Sequence, residues 1–135
     1  MPRYIRFQSA VPNRRGGFPG VFALANGLRS DGLLSAEDAA WVRASNDRAN
    51  AAYADPSVIS PDCYDPVLNP GARSWFRATA HELLDLTSEY LQLLDRYGVR
   101  WVELRTNDPG RITHADEAQV VAVPYSYPAD WPFDR

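Results

Sequence analysis

A chain of 135 residues with ordinary apolar and charged content is large enough to bury one core without disulfide or metal staples. The single cysteine, Cys63, excludes an intramolecular disulfide, and all fourteen basic residues are arginines, which excludes Schiff-base lysine chemistry and an ordinary P-loop. A net charge of -3, with the arginines spread through the chain, argues against a nucleic-acid binder.

The first stretch, MPRYIRFQSA, has no apolar centre of the kind a signal peptide needs, and no apolar run reaches the length of a membrane span. These features point to a soluble cytoplasmic protein with no membrane association. Tyr4 to Gln8 alternates and predicts a strand with Ile5 and Phe7 on one face and Arg6 and Gln8 on the other. It has no partner nearby in sequence, so it is expected to join a C-terminal hairpin. Asn13 to Gly20 is a glycine-rich loop that matches no nucleotide fingerprint.

Val21 to Arg29 predicts a short helix with Val21, Leu24, Ala25 and Leu28 on one side, ending near Gly32. Ser35 and Asp38 form a variant capping box that starts a second helix running to about Ala52. Its inward side is expected to carry Trp41, Val42, Ser45, Ala49 and Ala52 or Tyr53. Asn26, Asn46 and Asn50 punctuate these helices and are expected at the surface. Ala54 to Leu68, with prolines at 56, 61 and 66, predicts an irregular connection tacked onto the core by Tyr64 and Val67. It is longer than most connections inside a domain.

Asn69 and Pro70 read as the N-cap and first residue of a long amphipathic helix. Its apolar stripe runs through Ala72, Phe76, Ala80, Leu83, Thr87, Tyr90 and Leu94. A helix from Pro70 to Tyr97 would be roughly 42 Å long at 1.5 Å per residue, with a bend or break expected at Thr87-Ser88. Gly98 reads as its left-handed C-terminal stop. Val99 to Arg105 predicts a strand with Trp101, Glu103 and Arg105 on one face. Asn107 to Gly110 is a turn. Arg111 to His114 and Ala118 to Val123 predict two strands joined at Ala115-Asp116-Glu117. The tail from Pro124 to Arg135 is rich in aromatics and prolines, which suits it to lie across the domain or to engage a partner.

Motifs for fixed chemistry are scarce. The two histidines stand thirty-three residues apart and make no zinc signature with one cysteine, so no metal is implied. His81-Glu82 has no second histidine for a metalloprotease pattern and reads as helix surface. Cys63 has no positive neighbour in sequence to activate it. No cofactor is implied. The remaining constellation is polar and sheet-borne: Arg6 and Gln8, Glu103 and Arg105, then Arg111, His114, Asp116, Glu117 and Gln119 on the hairpin. If the first strand lies beside the hairpin, these converge with Asn69 and Arg77. Such a cluster suits an anionic small molecule, with His114 or Glu117 as acid or base. The plainer expectation is a solvated sheet face laced by cross-strand ion pairs.

The segments NPGARSWFRATA, YGVRWVELRTNDPGRITHADEAQVVAVP and GVFALANGL together resemble a family of small uncharacterised proteins from GC-rich bacteria. Arg77 stands where that family carries lysine, and His114-Ala115-Asp116 stands where it carries Tyr-Glu-Asp. The resemblance implies a self-standing domain and brings no assigned activity.

The expected architecture over residues 1–135 is a single α+β domain. About three helices pack on one face of a small, mainly antiparallel sheet of about four strands. Two functions follow from the residues. One is a noncatalytic binding or accessory protein that engages a protein partner, or a second copy of itself, through the arginine-bearing sheet face or the aromatic tail. The alternative is a small-molecule enzyme or binding protein that holds an anion with its arginines.

Overall fold

A computed structural model describes residues 2–125. Proline 124 and Tyr125 of the C-terminal tail fall within it, and the expectation placed on the rest of the tail lies outside the described residues. The elements follow in the order β1 (Tyr4–Ser9), α1 (Val21–Ser30), α2 (Ala36–Ala52), α3 (Pro56–Ile59), β2 (Arg73–Arg77), α4 (His81–Arg96), β3 (Trp101–Thr106), β4 (Arg111–Ala115) and β5 (Gln119–Val123). The architecture is α+β: three long helices and an antiparallel five-stranded sheet in the order β3-β1-β2-β5-β4.

The fifth strand comes from the stretch expected to open the long helix. Residues 73–77 form β2, and α4 begins only at His81. Trp75 and Phe76 explain the difference. Both are buried, but in separate clusters: Phe76 with Ile5, Phe7 and α4, and Trp75 with Tyr4, Val120 and Ala122. Adjacent residues buried on opposite faces obey a period of two, not 3.6. Asn69 is therefore not a helix cap. Its side chain is buried and donates from Nδ2 to Asp62 O at 2.6 Å.

Once started, α4 runs unbroken through Thr87-Ser88. Thr87 is fully buried, and its hydroxyl donates to Leu83 O one turn back at 2.7 Å, so the polar group costs the helix little. The helix ends as expected at Gly98, φ 70°, where Val99 N–H reaches Leu94 O and Gly98 N–H reaches Asp95 O.

The inserted β2 changes the neighbours of β1. β1 pairs with β3 along six residues and with β2 at only two, Tyr4↔Arg77 and Ile5↔Phe76. It does not pair with the C-terminal hairpin, because β2 takes the place beside β5. Beyond Ile5 the strands β1 and β2 diverge, and Gly20 forms a bridge with Gln8.

Both faces of the sheet are covered along β1, where all six residues are buried. One face packs against α1, α2 and α4. The other carries Tyr4, Trp75, Val120 and Ala122 beneath Phe18 of the glycine-rich loop, with Leu104 beside them. The second face, expected to be solvated, is thus covered by Phe18 over this cluster, while Ile112 at the β4 edge of the same face stays 45 % exposed. The described ion pair between Glu103 and Arg105 lies within β3 rather than across strands, at 2.6 Å.

Ser35 caps α2 by accepting from Asp38 N–H, as read from the sequence, while the Asp38 carboxylate turns away to Arg96 and Tyr97. The 54–68 connection contains the short α3 and is anchored by buried Pro56 and Cys63. Val67, expected as an anchor, is 85 % exposed, whereas Tyr64, 40 % exposed, reaches the sheet as expected and hydrogen-bonds Ser74. No helix among the described residues is long and apolar enough to cross a membrane.

Candidate functional site

The polar cluster expected from the sequence divides into separate groups. Arg105 and Glu103 sit exposed on the β3 edge, while Arg111 is exposed on β4 at the opposite edge. Glu117 is exposed in the β4–β5 turn.

Arg6 serves the fold. Its Nε donates to Gln8 Oε1 at 2.8 Å, Nη1 to Ser74 O at 3.0 Å and Nη2 to Phe18 O at 3.0 Å. The guanidinium fills the divergence of β1 and β2 and takes over the donor role that the strand ladder gives up there. Burial, and next the charge of Arg73, pull its pKa down to about 10. Gln8 is wholly buried beside it.

A second group gathers at the β4–β5 turn. Arg77 Nε donates to Asp116 O at 2.6 Å and its guanidinium stacks over the Tyr4 ring. Asp116 Oδ1 accepts from the N–H groups of Ala118 and Gln119, and Oδ2 lies 3.0 Å from His114 Nε2. Burial raises the Asp116 carboxyl pKa, but the His114 ring and those two N–H groups outweigh it and hold the pKa below its ordinary value.

The other ring nitrogen of His114, Nδ1, lies 3.0 Å from the hydroxyl of Ser60. The ionised Asp116 can only accept, so Nε2 carries the proton and Nδ1 accepts from Ser60. A bulge between Ile112 and His114 makes this meeting occur. It turns His114 to the face shared with Val121 and Ser74, toward the 54–68 connection, and Thr113 donates to Cys63 O.

Serine, histidine and aspartate in that order also form the relay used in acyl transfer. Here the His114 side chain is 3 % exposed, and neither Ser60 nor His114 lines either of the two clefts described below. The relay acts as a latch that fastens the connection to the sheet. Cys63, beneath it, is buried, which pushes its thiol pKa up and keeps it a poor nucleophile.

The concave surface lies beside the latch. A cleft of about 330 Å³ opens between α1, α2, the 54–68 connection and the sheet. Phe22, Tyr53, Tyr64 and Phe76 give it aromatic walls, and Asn26, Asn46, Asn50 and Gln119 give it amides. A neighbouring hollow of about 260 Å³ lies at the divergence of β1 and β2, with Arg6 and Arg73 in its wall. Phe22, Tyr64, Ser74 and Phe76 line both, so the two adjoin. Among the described residues the only carboxylate lining them is Asp55, kept below its usual pKa by the hydroxyl and backbone N–H of Ser57.

Two of the residues singled out in the sequence, Gln119 and Arg6, therefore line adjoining hollows, one each. Asn26 and Asn46, expected at the surface, are half-buried within it. The signal for them was helical spacing. Asn26 stands four residues after Phe22, and Asn50 four after Asn46, which sets each pair on one helix face. Among the described residues no group of three His, Cys, Asp or Glu side chains is placed to hold a metal ion. Comparison of the chain with protein-family models, with curated proteins and with solved structures finds no match.

Proposed function

We propose that the protein is a noncatalytic binding protein that takes a small molecule into the cleft between α1, α2 and the sheet. One observation carries this reading: a concave space of ligand size with aromatic walls and several converging amides. Asn46 is committed to Tyr90 and Asn26, which leaves Asn26, Asn50 and Gln119 to meet the polar atoms of a ligand. Among the described residues the cleft is lined by no histidine and by one carboxylate, which is committed to capping α3; this favours binding over acid–base catalysis. Arg6, the one cleft residue among the arginines named from the sequence, has three of its N–H groups on protein acceptors. The arginine-held anion is accordingly the less favoured ligand.

The test is a fragment screen read by amide chemical shifts of the parent protein and of Ser74→Phe, which fills the floor common to both hollows. Hits should shift residues around Phe22, Asn26, Tyr64 and Phe76 in the parent and lose those shifts in the variant. Hits that map elsewhere, or that persist in Ser74→Phe, would remove the cleft from consideration.

A protein partner is the second reading. Its support is an exposed apolar cluster on the 54–68 connection, where Val58, Ile59, Val67 and Leu68 are each at least 60 % exposed. Native mass spectrometry of the gently purified protein tests it. A retained protein or a defined homo-oligomer that dissociates in Val58→Asp/Val67→Asp supports this reading, and a bare monomer counts against it.

A further inference from the structure

The hydrogen-bond chain behind the cleft has a fixed direction. Tyr90 of α4 is completely buried, so its hydroxyl hydrogen needs an acceptor within the protein. That acceptor is Asn46 Oδ1, at 2.6 Å. Asn46 must then point its Nδ2 away from Tyr90, and it does so toward Asn26 Oδ1, also at 2.6 Å. Reversing the two amides would leave the Tyr90 hydrogen without this acceptor. The buried phenol therefore settles which end of each amide is oxygen and which is nitrogen.

The last group in the chain is Asn26 Nδ2. It has no acceptor among the described residues, and Asn26 lines the cleft. Burial raises the Tyr90 pKa to about 12, so the phenol stays protonated and the chain keeps its direction at physiological pH. Phe22 is wedged edge-on against Tyr90 at 4.7 Å and tilted against Phe76 at 5.9 Å, which gives the donor a rigid aromatic wall.

We infer that the cleft selects a planar ring without negative charge that bears a carbonyl oxygen, a cyclic amide being the simplest case, and that this oxygen accepts from Asn26 Nδ2. The inference rests on the cleft being a binding site and adds the polarity of its ligand. The lack of negative charge follows because, among the described residues, Asp55 is the one charged side chain lining the amide-bearing hollow and its carboxylate repels an anion. A carbonyl follows because the relayed group is a donor. A flat ring follows from walls made by Phe22, Tyr53, Tyr64 and Phe76.

The experiment titrates the ¹⁵N-labelled protein with 2-pyridone, a planar cyclic amide, and separately with fluorobenzene, a flat ring without a carbonyl. The side-chain amide signals of Asn26 are identified by their loss in Asn26→Leu. Saturable movement of those signals by 2-pyridone, with binding of fluorobenzene at least tenfold weaker, is expected. Asn26→Asp, which replaces the donor by an acceptor, should abolish 2-pyridone binding. Tyr90→Phe, which frees both amides to reverse, should weaken it about fivefold. Amide dispersion of each variant checks that it is folded. Equal binding of both probes in the cleft would overturn the donor polarity and leave the binding site standing. Undiminished binding of 2-pyridone to Asn26→Asp would overturn it as well. If neither probe moves any cleft residue, the site and its polarity fall together.

Discussion

A buried guanidinium is expensive unless its donors are used, and Arg6 uses Nε, Nη1 and Nη2 on protein acceptors. Arg6→Met would keep the aliphatic bulk and leave Gln8 Oε1, Ser74 O and Phe18 O without those donors. Each unmet buried acceptor costs about 1–3 kcal/mol, partly offset by removing a charge that burial disfavours, so a net loss of about 2–3 kcal/mol is expected. Arg105→Met removes an exposed pair and should change stability by less than about 0.5 kcal/mol. Urea unfolding of the two variants gives the comparison, and equal losses would show that Arg6 is not the clamp of the β1–β2 divergence. Asp116 adds a pH dependence. Its carboxyl pKa is depressed in the fold, so its contribution is complete above the unfolded value and is lost as pH falls through the folded value. The parent should therefore lose stability more steeply than Asp116→Asn below about pH 4, the unfolded carboxyl range. Superimposable pH profiles of the urea midpoint would rule this out. His114 and Asp116 were visible in the sequence as polar neighbours of a turn. Ser60, which completes the latch, lies 54 residues away from His114 and meets it only through the β4 bulge.

Elements whose periodicity covers their whole length were legible from the residues: β1, α1, α2 and the strands of the C-terminal half. The exception is β2. Its five residues sit between a turn and a strong amphipathic helix, and Phe76 falls by chance in line with the stripe Leu83, Thr87, Tyr90 and Leu94 of α4. The burial of Trp75 on the far face requires β5 to be present, and neighbouring residues do not reveal that tertiary partner. Once β2 is missed, the sheet order follows wrongly and the arginines seem to converge. Glycines at the element ends show a similar difference between local and tertiary causes. Gly98 has φ 70° at the end of α4, and a Cβ there would meet nothing within 4 Å. Gly98→Ala should cost about 1 kcal/mol, the strain of a left-handed residue alone. Gly110 has φ 126°, and a Cβ there would lie 2.0 Å from Val123 O. Gly110→Ala forces the β4–β5 pair apart and should cost about 3 kcal/mol or more. Thermal unfolding distinguishes them, since a similar loss at both sites would mean that backbone strain alone accounts for Gly110.

At the scale of the whole molecule, the cleft depends on a segment with little core of its own. The 54–68 connection supplies Asp55, Pro56 and Tyr64 to the walls, yet it is held to the sheet mainly by Ser60–His114, Thr113–Cys63 O and the buried Cys63. Few buried contacts and a polar fastening describe a unit that opens before the rest of the fold. Weakening the latch should therefore loosen the cleft without unfolding the core. His114→Leu removes both ring hydrogen bonds while keeping an apolar group in a buried position. Amide exchange should rise about tenfold at Cys63 and Asn69, whose N–H groups bond within the connection, a change equivalent to about 1.4 kcal/mol of local opening. Exchange at the buried middle of α4, around Tyr90 and Leu94, should stay within about threefold of the parent, because helix packing does not pass through the latch. The cleft should bind its fragments more weakly in the variant although His114 is not one of its lining residues. Uniform acceleration across α4 and the connection would mean that the two open together. The connection would then belong to the core, and the cleft would be rigid by construction rather than by its fastening to β4.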